Sequence, residues 1–361
     1  MDTIFLNQVK NKRHQSTKKG MKTMADQQSP VSAEEAYLNL HRRIPGEPEP
    51  AFDDPTMLEK VWGRKWGLDN DVGHLRTVLV SRPGVEWEVM MSGGEFVEDA
   101  QAWISPDKMW YWNGRDRPNL AQIQAQHDGL VKSLEAEGVE VVQLEQPLPN
   151  MTKSVFTRDP AIIVKGGAVI CRMGVSYRRG EELPFTRTLT NLGMPILHTI
   201  HGTGLMEGGS FVWLNPSTAV VSIGHRCNAE GARQLGEVLK TAVVELLCVD
   251  NTGYGLHIDG SFVMVNSDLA LAFIQDLPWW FLERLNELGI RTLDPVAEDG
   301  AFGVNCLAVR PGRVLISAHA ERTAKRLEAA GVEVVMVPYD RLHRSGGGIH
   351  CSTLPLIRDE V

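Results

Sequence analysis

The chain has 361 residues, 43% of them hydrophobic and 23% charged, which is ordinary globular composition with material for a large core in one closed fold or in two or three domains. The formal net charge of -8 gives no footprint for nucleic acid, and no apolar run approaches the roughly 18 residues that would cross a bilayer. Five scattered cysteines (Cys171, Cys227, Cys248, Cys306 and Cys351), without a CxxC, speak against a disulfide framework or a structural zinc site and fit a reducing, cytoplasmic setting.

Residues 1–30 hold Lys10, Lys12, Arg13, Lys18, Lys19 and Lys22 and few apolar residues, without the apolar core of a secretory signal. A disordered, solvated tail is expected there; an organellar targeting peptide is the rival reading, and Met21 and Met24 are alternative starts. Residues 31–73 are read as an N-terminal extension, and 74–361 as a single catalytic domain.

Within that domain the chain repeats itself. Leu134–Val142 (LEAEGVEVV), Leu189–Leu197 (LTNLGMPIL), Leu285–Leu293 (LNELGIRTL) and Leu327–Val335 (LEAAGVEVV) each read as the end of an amphipathic helix, a glycine and a short apolar strand. Leu239–Leu247 (LKTAVVELL) keeps the apolar spacing but lacks the glycine. β-Hairpins are predicted over 161–171, 211–223, 262–273 and 306–316, around the turn residues Gly166-Gly167, Asn215-Pro216-Ser217-Thr218, Asn266-Ser267-Asp268 and Pro311-Gly312. The unit is strand, strand, helix, strand. Five units are counted, the first opening at Leu75–Val80 and swollen by an insertion over 84–118, the last ending near Val337. Such units bury their faces only by packing on one another, and five of them can close into a ring. A generic α/β sandwich is the plainer alternative.

Unusual polar residues fall at one place in this unit. Asp159 precedes the second hairpin, Glu207-Gly208-Gly209 the third and His257-Ile258-Asp259 the fourth, at spacings of 48 and 50 residues. Equivalent positions in a ring of repeats point to the same end of its axis, so these groups are expected to converge. Cys351 follows the fifth unit in Ser345-Gly-Gly-Gly-Ile-His-Cys-Ser-Thr, where the glycines permit tight curvature and close approach, and their amides can face developing negative charge. A thiol nucleophile needs activation, and a histidine oriented by a carboxylate is the recurring device.

Taken alone, Asp159 reads as a turn or capping residue, His257 as a core histidine and Arg158 as a structural ion pair or an anchor for a substrate carboxylate. His350 is assigned a structural role, because neighbouring strand residues point to opposite faces. Cys171, Cys248 and Cys306 look like small core residues, while Cys227 looks partly exposed. The aromatics of the insertion, Trp103, Trp110, Tyr111 and Trp112, read as core or interface packing or as a lid that stacks on a flat substrate. Trp279 and Trp280 read as core or interface anchors.

Phe156-Thr-Arg-Asp159, Glu207-Gly-Gly, Leu256-His-Ile-Asp259 and Gly346-Gly-Gly-Ile-His-Cys351, in this order and at repeat spacing, resemble the guanidino-group-modifying, or pentein, superfamily over roughly residues 74–357; Val78-Leu-Val-Ser-Arg-Pro-Gly84 is similar to its first strand. Arginine deiminases, dimethylarginine hydrolases and amidinotransferases are members. The resemblance implies a five-bladed α/β propeller, no metal and no cofactor. It further implies that Cys351 attacks the substrate carbon, that His257 protonates the leaving group and then activates water, and that Glu207 orients the imidazole or binds a substrate N–H. Asp159 and Asp259 would grip N–H groups of a planar substrate, in fork geometry. Many relatives carry Asp after Glu-Gly-Gly, where this chain has Ser210. The loss of that acid makes a neutral substrate plausible, and the 2-nitroimidazole nitrohydrolases, which release nitrite, are a branch of the superfamily that this chain resembles. Ser210 is therefore counted with Asp159, Asp259 and Arg158 as substrate-binding, a harmless change behind the site being the equal alternative for it. The expected activity is hydrolysis at a planar carbon flanked by nitrogens, in a guanidine or in such a heteroaromatic; an amidinotransferase and a non-enzymatic binding protein are the alternatives. The expected partner is a small molecule, with no nucleic acid or membrane, and a homo-oligomer stays open.

Overall fold

The repeat shows in the way each helix ends. The computed structural model describes residues 32–37, 55–149, 151–251, 253 and 255–361. In it the N–H groups of Val139, Met194, Val244, Ile290 and Val332 donate to the carbonyls of Leu134, Leu189, Leu239, Leu285 and Leu327. This bond turns the chain from helix into strand and requires a left-handed residue just before the donor. Gly138, Gly193, Gly289 and Gly331 take that conformation at φ from 74° to 88°. At the fifth helix end Val243 takes it at φ 59°, with its side chain 85% exposed. A β-branched residue there meets the Cβ clash of the left-handed region, on the order of 1–2 kcal/mol, and recovers nothing by burial. Val243→Gly is therefore expected to stabilise the fold by about 1 kcal/mol, read as a raised urea midpoint; a lowered midpoint would mean the strain is not there.

Four units share one sheet topology, a hairpin followed after the helix by a third strand parallel to the second. They are Ala161–Val164, Gly167–Ile170 and Ile196–Thr199; Phe211–Asn215, Thr218–Ile223 and Glu245–Asp250; Phe262–Asn266, Leu269–Ala272 and Arg291–Leu293; and Leu307–Arg310, Arg313–Ser317 and Glu333–Val337. The hairpin strands are buried on both faces, which is why they read as unbroken apolar runs.

The first unit is assembled from both ends of the chain. Leu75–Val80 pairs in parallel with Glu140–Gln143, beyond the helix Leu120–Ala136, and antiparallel with Leu354–Arg358. The repeat was expected to end near Val337, yet this last strand supplies the missing arm of the first hairpin. Cys351 thereby stands just before a hairpin strand, as Asp159, Glu207 and His257 do.

The insertion is a small antiparallel sheet rather than a loop, formed by Glu95–Val97, Ala102–Ile104 and Tyr111–Asn113. Its Trp110 and Trp112 are buried, Trp112 edge-on to Trp87 at 6.3 Å. Three expectations are corrected. Cys227 is buried, not partly exposed; Cys248 is exposed, because it sits on the outer face of the third strand of its sheet; and Trp279 and Trp280 project outward from the first turn of their helix, which removes the core reading of the pair and leaves the interface reading open. All five cysteines are free.

The chain divides at residue 50 into two units, the first described only by a helix at 33–37. The expected basic tail, 1–30, lies outside the described residues. Among the described residues no helix is long and apolar enough to cross a membrane.

Candidate active site

Each unit enters its hairpin through a tight turn, and the polar markers sit on those turns. Gly208–Ser210 is a single helical turn directly before Phe211, and Ile258–Gly260 another, one residue before Phe262. Gly209 shows why the motif needs a glycine, since a Cβ there would lie 2.7 Å from His257 Nδ1 and 2.8 Å from an Asp159 oxygen. The backbone yields that space so that the acid and the imidazole can approach, and the Gly209 N–H donates to Asp159 Oδ1 at 3.1 Å.

Glu207 and His257 meet directly, His257 Nε2 lying 2.9 Å from Glu207 Oε2. On its other side His257 Nδ1 lies 3.7 Å from Asp159 and 3.9 Å from Asp259. Burial opposes ionisation of Glu207, but the His257 hydrogen bond and charge, with Arg178 and Arg226 behind them, hold its carboxyl down to about 2. Burial likewise pulls His257 down, yet Asp159, Glu207 and Asp259 outweigh it and lift the imidazole above its ordinary value. Both shifts favour imidazolium paired with carboxylate.

Cys351 shares one small cavity, about 40 Å³, with His257 and Asp159. Tyr111, Lys153, Phe156, Tyr177, Arg178 and Arg226 complete its walls together with the loop Ser345–Gly347 and Leu256. Cys351 and His350 lie in a turn and not on a strand, so the alternation used to separate them does not apply. Both reach Asp259 Oδ2, His350 Nδ1 at 2.8 Å and the sulfur at 3.6 Å. Burial, then Asp259 and Asp159, push the thiol well above its ordinary range, against hydrogen bonds from Gly348 and Asn305. The resting nucleophile is therefore a thiol. Its alkylation by iodoacetamide is expected to keep rising with pH beyond the ordinary thiol range, and a plateau below neutral pH would overturn that protonation state.

The other expected binding residues stand elsewhere. Ser210 is fully buried behind the Glu207 turn, its hydroxyl without a partner, and does not line the cavity. Arg158 does not line the cavity; it lies 3.9 Å from Asp71 and donates to the His350 carbonyl. Asp259 acts on the sulfur from beneath, with His350 as its partner.

Several groups carry no motif signal. Arg178 is buried against Asp159 and Glu181 and lies 3.9 Å from Glu207, while Arg226 donates to both Glu207 oxygens at 3.0 and 3.2 Å. Asn305 does have a signal, because it stands before Leu307 and continues the register: 159, 207, 257, 305 and 351 are 48, 50, 48 and 46 residues apart. Its side chain clamps the nucleophile, Nδ2 donating to Cys351 Sγ at 3.1 Å and Oδ1 accepting from the Cys351 N–H at 3.3 Å. Of the three glycines before the cysteine, Gly346 has its N–H committed to the His343 carbonyl, and a Cβ on it would overlap the Tyr111 hydroxyl. Asp159, Glu207 and His257 also present donor atoms within 4.8 Å of one another, as a divalent ion would require. Arg178 already pairs with Asp159, and Arg226 and His257 with Glu207, so a metal would have to displace these partners and the imidazole proton.

The family described as N,N dimethylarginine dimethylhydrolase, eukaryotic, matches residues 109–358, well over half of the chain. The chain belongs to that family. With it the chain falls in the pentein superfamily, among hydrolases of carbon–nitrogen bonds other than peptide bonds. The N(G),N(G)-dimethylarginine dimethylaminohydrolase of Pseudomonas aeruginosa is 26% identical over 66% of this chain and 90% of its own length. An arginine deiminase of Listeria monocytogenes is 27% identical over 60% of this chain and 63% of its own length, so the chain spans under two thirds of that relative. Among solved structures, the Pseudomonas aeruginosa dimethylarginine dimethylhydrolase in complex with citrulline superposes with a TM-score of 0.63 at 21% identity, covering 79% of this chain and all of that one. Inosamine-phosphate amidinotransferase of Streptomyces griseus gives 0.62 at 15% identity, over 82% and 97%. The mixed α/β fold of the dimethylarginine dimethylhydrolase family is thus the fold of this chain.

Proposed function

We propose that this member of the family is a cysteine-nucleophile hydrolase whose substrate carries a planar carbon between two nitrogens and enters uncharged, as a nitro-heteroaromatic such as 2-nitroimidazole does. The observation that carries the reading is the charge balance of the cavity. Asp159 and Glu207 already hold Arg178 and Arg226, Asp259 is taken up by His350, and Lys153 lines the same cavity as Asp159 and Cys351. A guanidinium entering there meets resident cations at close range in a dry site, where like charges repel far more strongly than in water. A neutral ring can donate an N–H to Asp159 without disturbing those pairs.

In the reaction the sulfur pair forms an S–C bond to the carbon between the ring nitrogens and the thiol proton passes to the nearest carboxylate, Asp259. His257 lends its proton to a ring nitrogen as charge develops there. The carbon–nitro bond breaks with its electron pair, and nitrite leaves. A water deprotonated by His257 then adds to the same carbon, the S–C bond breaks, and the hydroxylated ring and the thiol are released. Glu207 holds the imidazole in register throughout, as a positioning residue.

A second reading, hydrolysis of dimethylarginine or arginine, draws on the relatives. There Cys351 would attack the guanidine carbon and an amine or ammonia would leave with the His257 proton. Incubation with 2-nitroimidazole, dimethylarginine and arginine, read out as nitrite, dimethylamine and citrulline, separates the two. Nitrite release lost in Cys351→Ala supports the first; citrulline without nitrite supports the second and ends the first.

For the architecture, we infer that the five sheets are blades of one propeller formed by residues 74–361, with 31–73 as an extension. The strand Leu354–Arg358 touches Ala161–Val164, Phe211–Asn215 touches Phe262–Asn266, that strand touches Leu307–Arg310, and the last touches Leu75–Val80. Trp213 Nε1 bonds the Ile163 carbonyl between the remaining pair.

A further inference from the structure

Lys153 has no part in the reaction just described, yet it is 5% exposed and lines the cavity beside Cys351. A buried ammonium is costly unless something offsets its desolvation. Arg178 and Arg226 are offset by carboxylates, whereas Lys153 forms no ion pair among the described residues. Its Nζ donates to the Ser345 carbonyl, on the loop that leads to the nucleophile, and lies 3.8 Å from the centre of the Tyr111 ring. An ammonium has three donors. The carbonyl takes one, the ring face attracts the charge, and a donor is left for the cavity. Burial, with Arg178 and Arg226 nearby and only Glu181 in opposition, brings its pKa down to about 7, as befits a cation still waiting for its anion.

We propose that Lys153 is a specificity-determining residue that holds the anionic leaving group, and that the cavity is divided between an acidic floor for the ring and a cationic wall for the departing charge. The proposal rests on the nitro-heteroaromatic reading for the identity of that anion. As Cys351 Sγ bonds the ring carbon, the carbon–nitro electron pair leaves on the nitro nitrogen, and the single negative charge of nitrite forms where the ammonium can donate to its oxygens. A departing amine carries no such charge and gains nothing from Lys153. The same ammonium raises the barrier to entry of a guanidinium.

Nitrite itself is the probe, added to the whole chain while Cys351 is alkylated by iodoacetamide. Nitrite at about ten times its dissociation constant is expected to slow alkylation of the wild type about 10-fold, since only the unoccupied fraction of the sites reacts. Lys153→Arg should keep the protection, and Lys153→Met, which preserves the length and bulk of the side chain, should lose it, each read as the ratio of that variant's own alkylation rates without and with nitrite. Wild-type alkylation indifferent to nitrite overturns the proposal with no variant needed, as does full protection of a folded Lys153→Met. Protection without any turnover of 2-nitroimidazole would sink the substrate reading and leave the anion site standing. Turnover with protection that ignores Lys153 would do the reverse.

Discussion

Replacing Cys351 by alanine is expected to lower turnover by on the order of 10⁴-fold or more, since removal of a covalent nucleophile leaves only binding and electrostatic stabilisation. The fold should tolerate the change. The thiol lies at the wall of a cavity and contributes two weak polar contacts, to Asn305 and Asp259, and its neighbours His350 and Ser352 are held by bonds of their own to Asp259 and to the Gly348 carbonyl. Far-UV circular dichroism and the urea midpoint should therefore match the wild type while product formation vanishes. The paired experiment uses His257. If its imidazole activates the second water, His257→Gln should stall after the first step, and intact-protein mass spectrometry of a quenched reaction should show the sulfur carrying the substrate fragment. Turnover surviving in Cys351→Ala would remove covalent catalysis altogether. Loss of turnover in His257→Gln with no adduct would instead show that the proton His257 lends in the first step is indispensable.

Much of this site was legible before any coordinates because the fold repeats. A period near 48 residues carried Asp159, Glu207 and His257 to one end of the molecule. The same count reaches Asn305, which stands before Leu307 without a motif to draw attention to it. What the period did not convey was the source of the fifth position. Cys351 comes into register because Leu354–Arg358 pairs with Leu75–Val80 across the length of the chain, a long-range pairing that local apolar patterning does not encode. Arg178 and Arg226 were illegible for a different reason. They lie on the segments after the second and third hairpins, amid other exposed or half-exposed arginines and histidines, and only folding shows which guanidinium turns inward. Ser210 illustrates the opposite error, since the Asp that relatives carry at this position placed it in the site, while here the residue is fully buried in the single helical turn Gly208–Ser210 and does not line the cavity.

Arg178→Met is expected to cost about 3–5 kcal/mol of stability, the range seen when one partner is removed from a buried ion pair. Arg178 is fully enclosed and is the shared counter-ion of Asp159 and Glu181, with Glu207 at 3.9 Å. Methionine fills much of its volume, so packing loss is small and the deficit is electrostatic. The pH dependence separates this cause from a cavity. Glu181, lifted to about 7 by burial and held down chiefly by Arg178, supports the fold fully below its unfolded pKa and loses that contribution as pH rises through about 7. Without Arg178 its pKa rises further, and the penalty at neutral pH grows. Glu207 has the opposite sense, since its pKa of about 2 favours the fold above the unfolded carboxylate range and that help fades only toward pH 2. The gap between wild type and Arg178→Met in urea midpoint should thus be widest near pH 8 and narrow toward pH 5, where the orphaned carboxyls take up protons. Arg178→Lys keeps the charge but not the fork that spans Asp159 and Glu181, and should fall between the two. A gap that is constant with pH would assign the loss to packing, and a midpoint unchanged in Arg178→Met would mean that the carboxylates of this site find their compensation elsewhere.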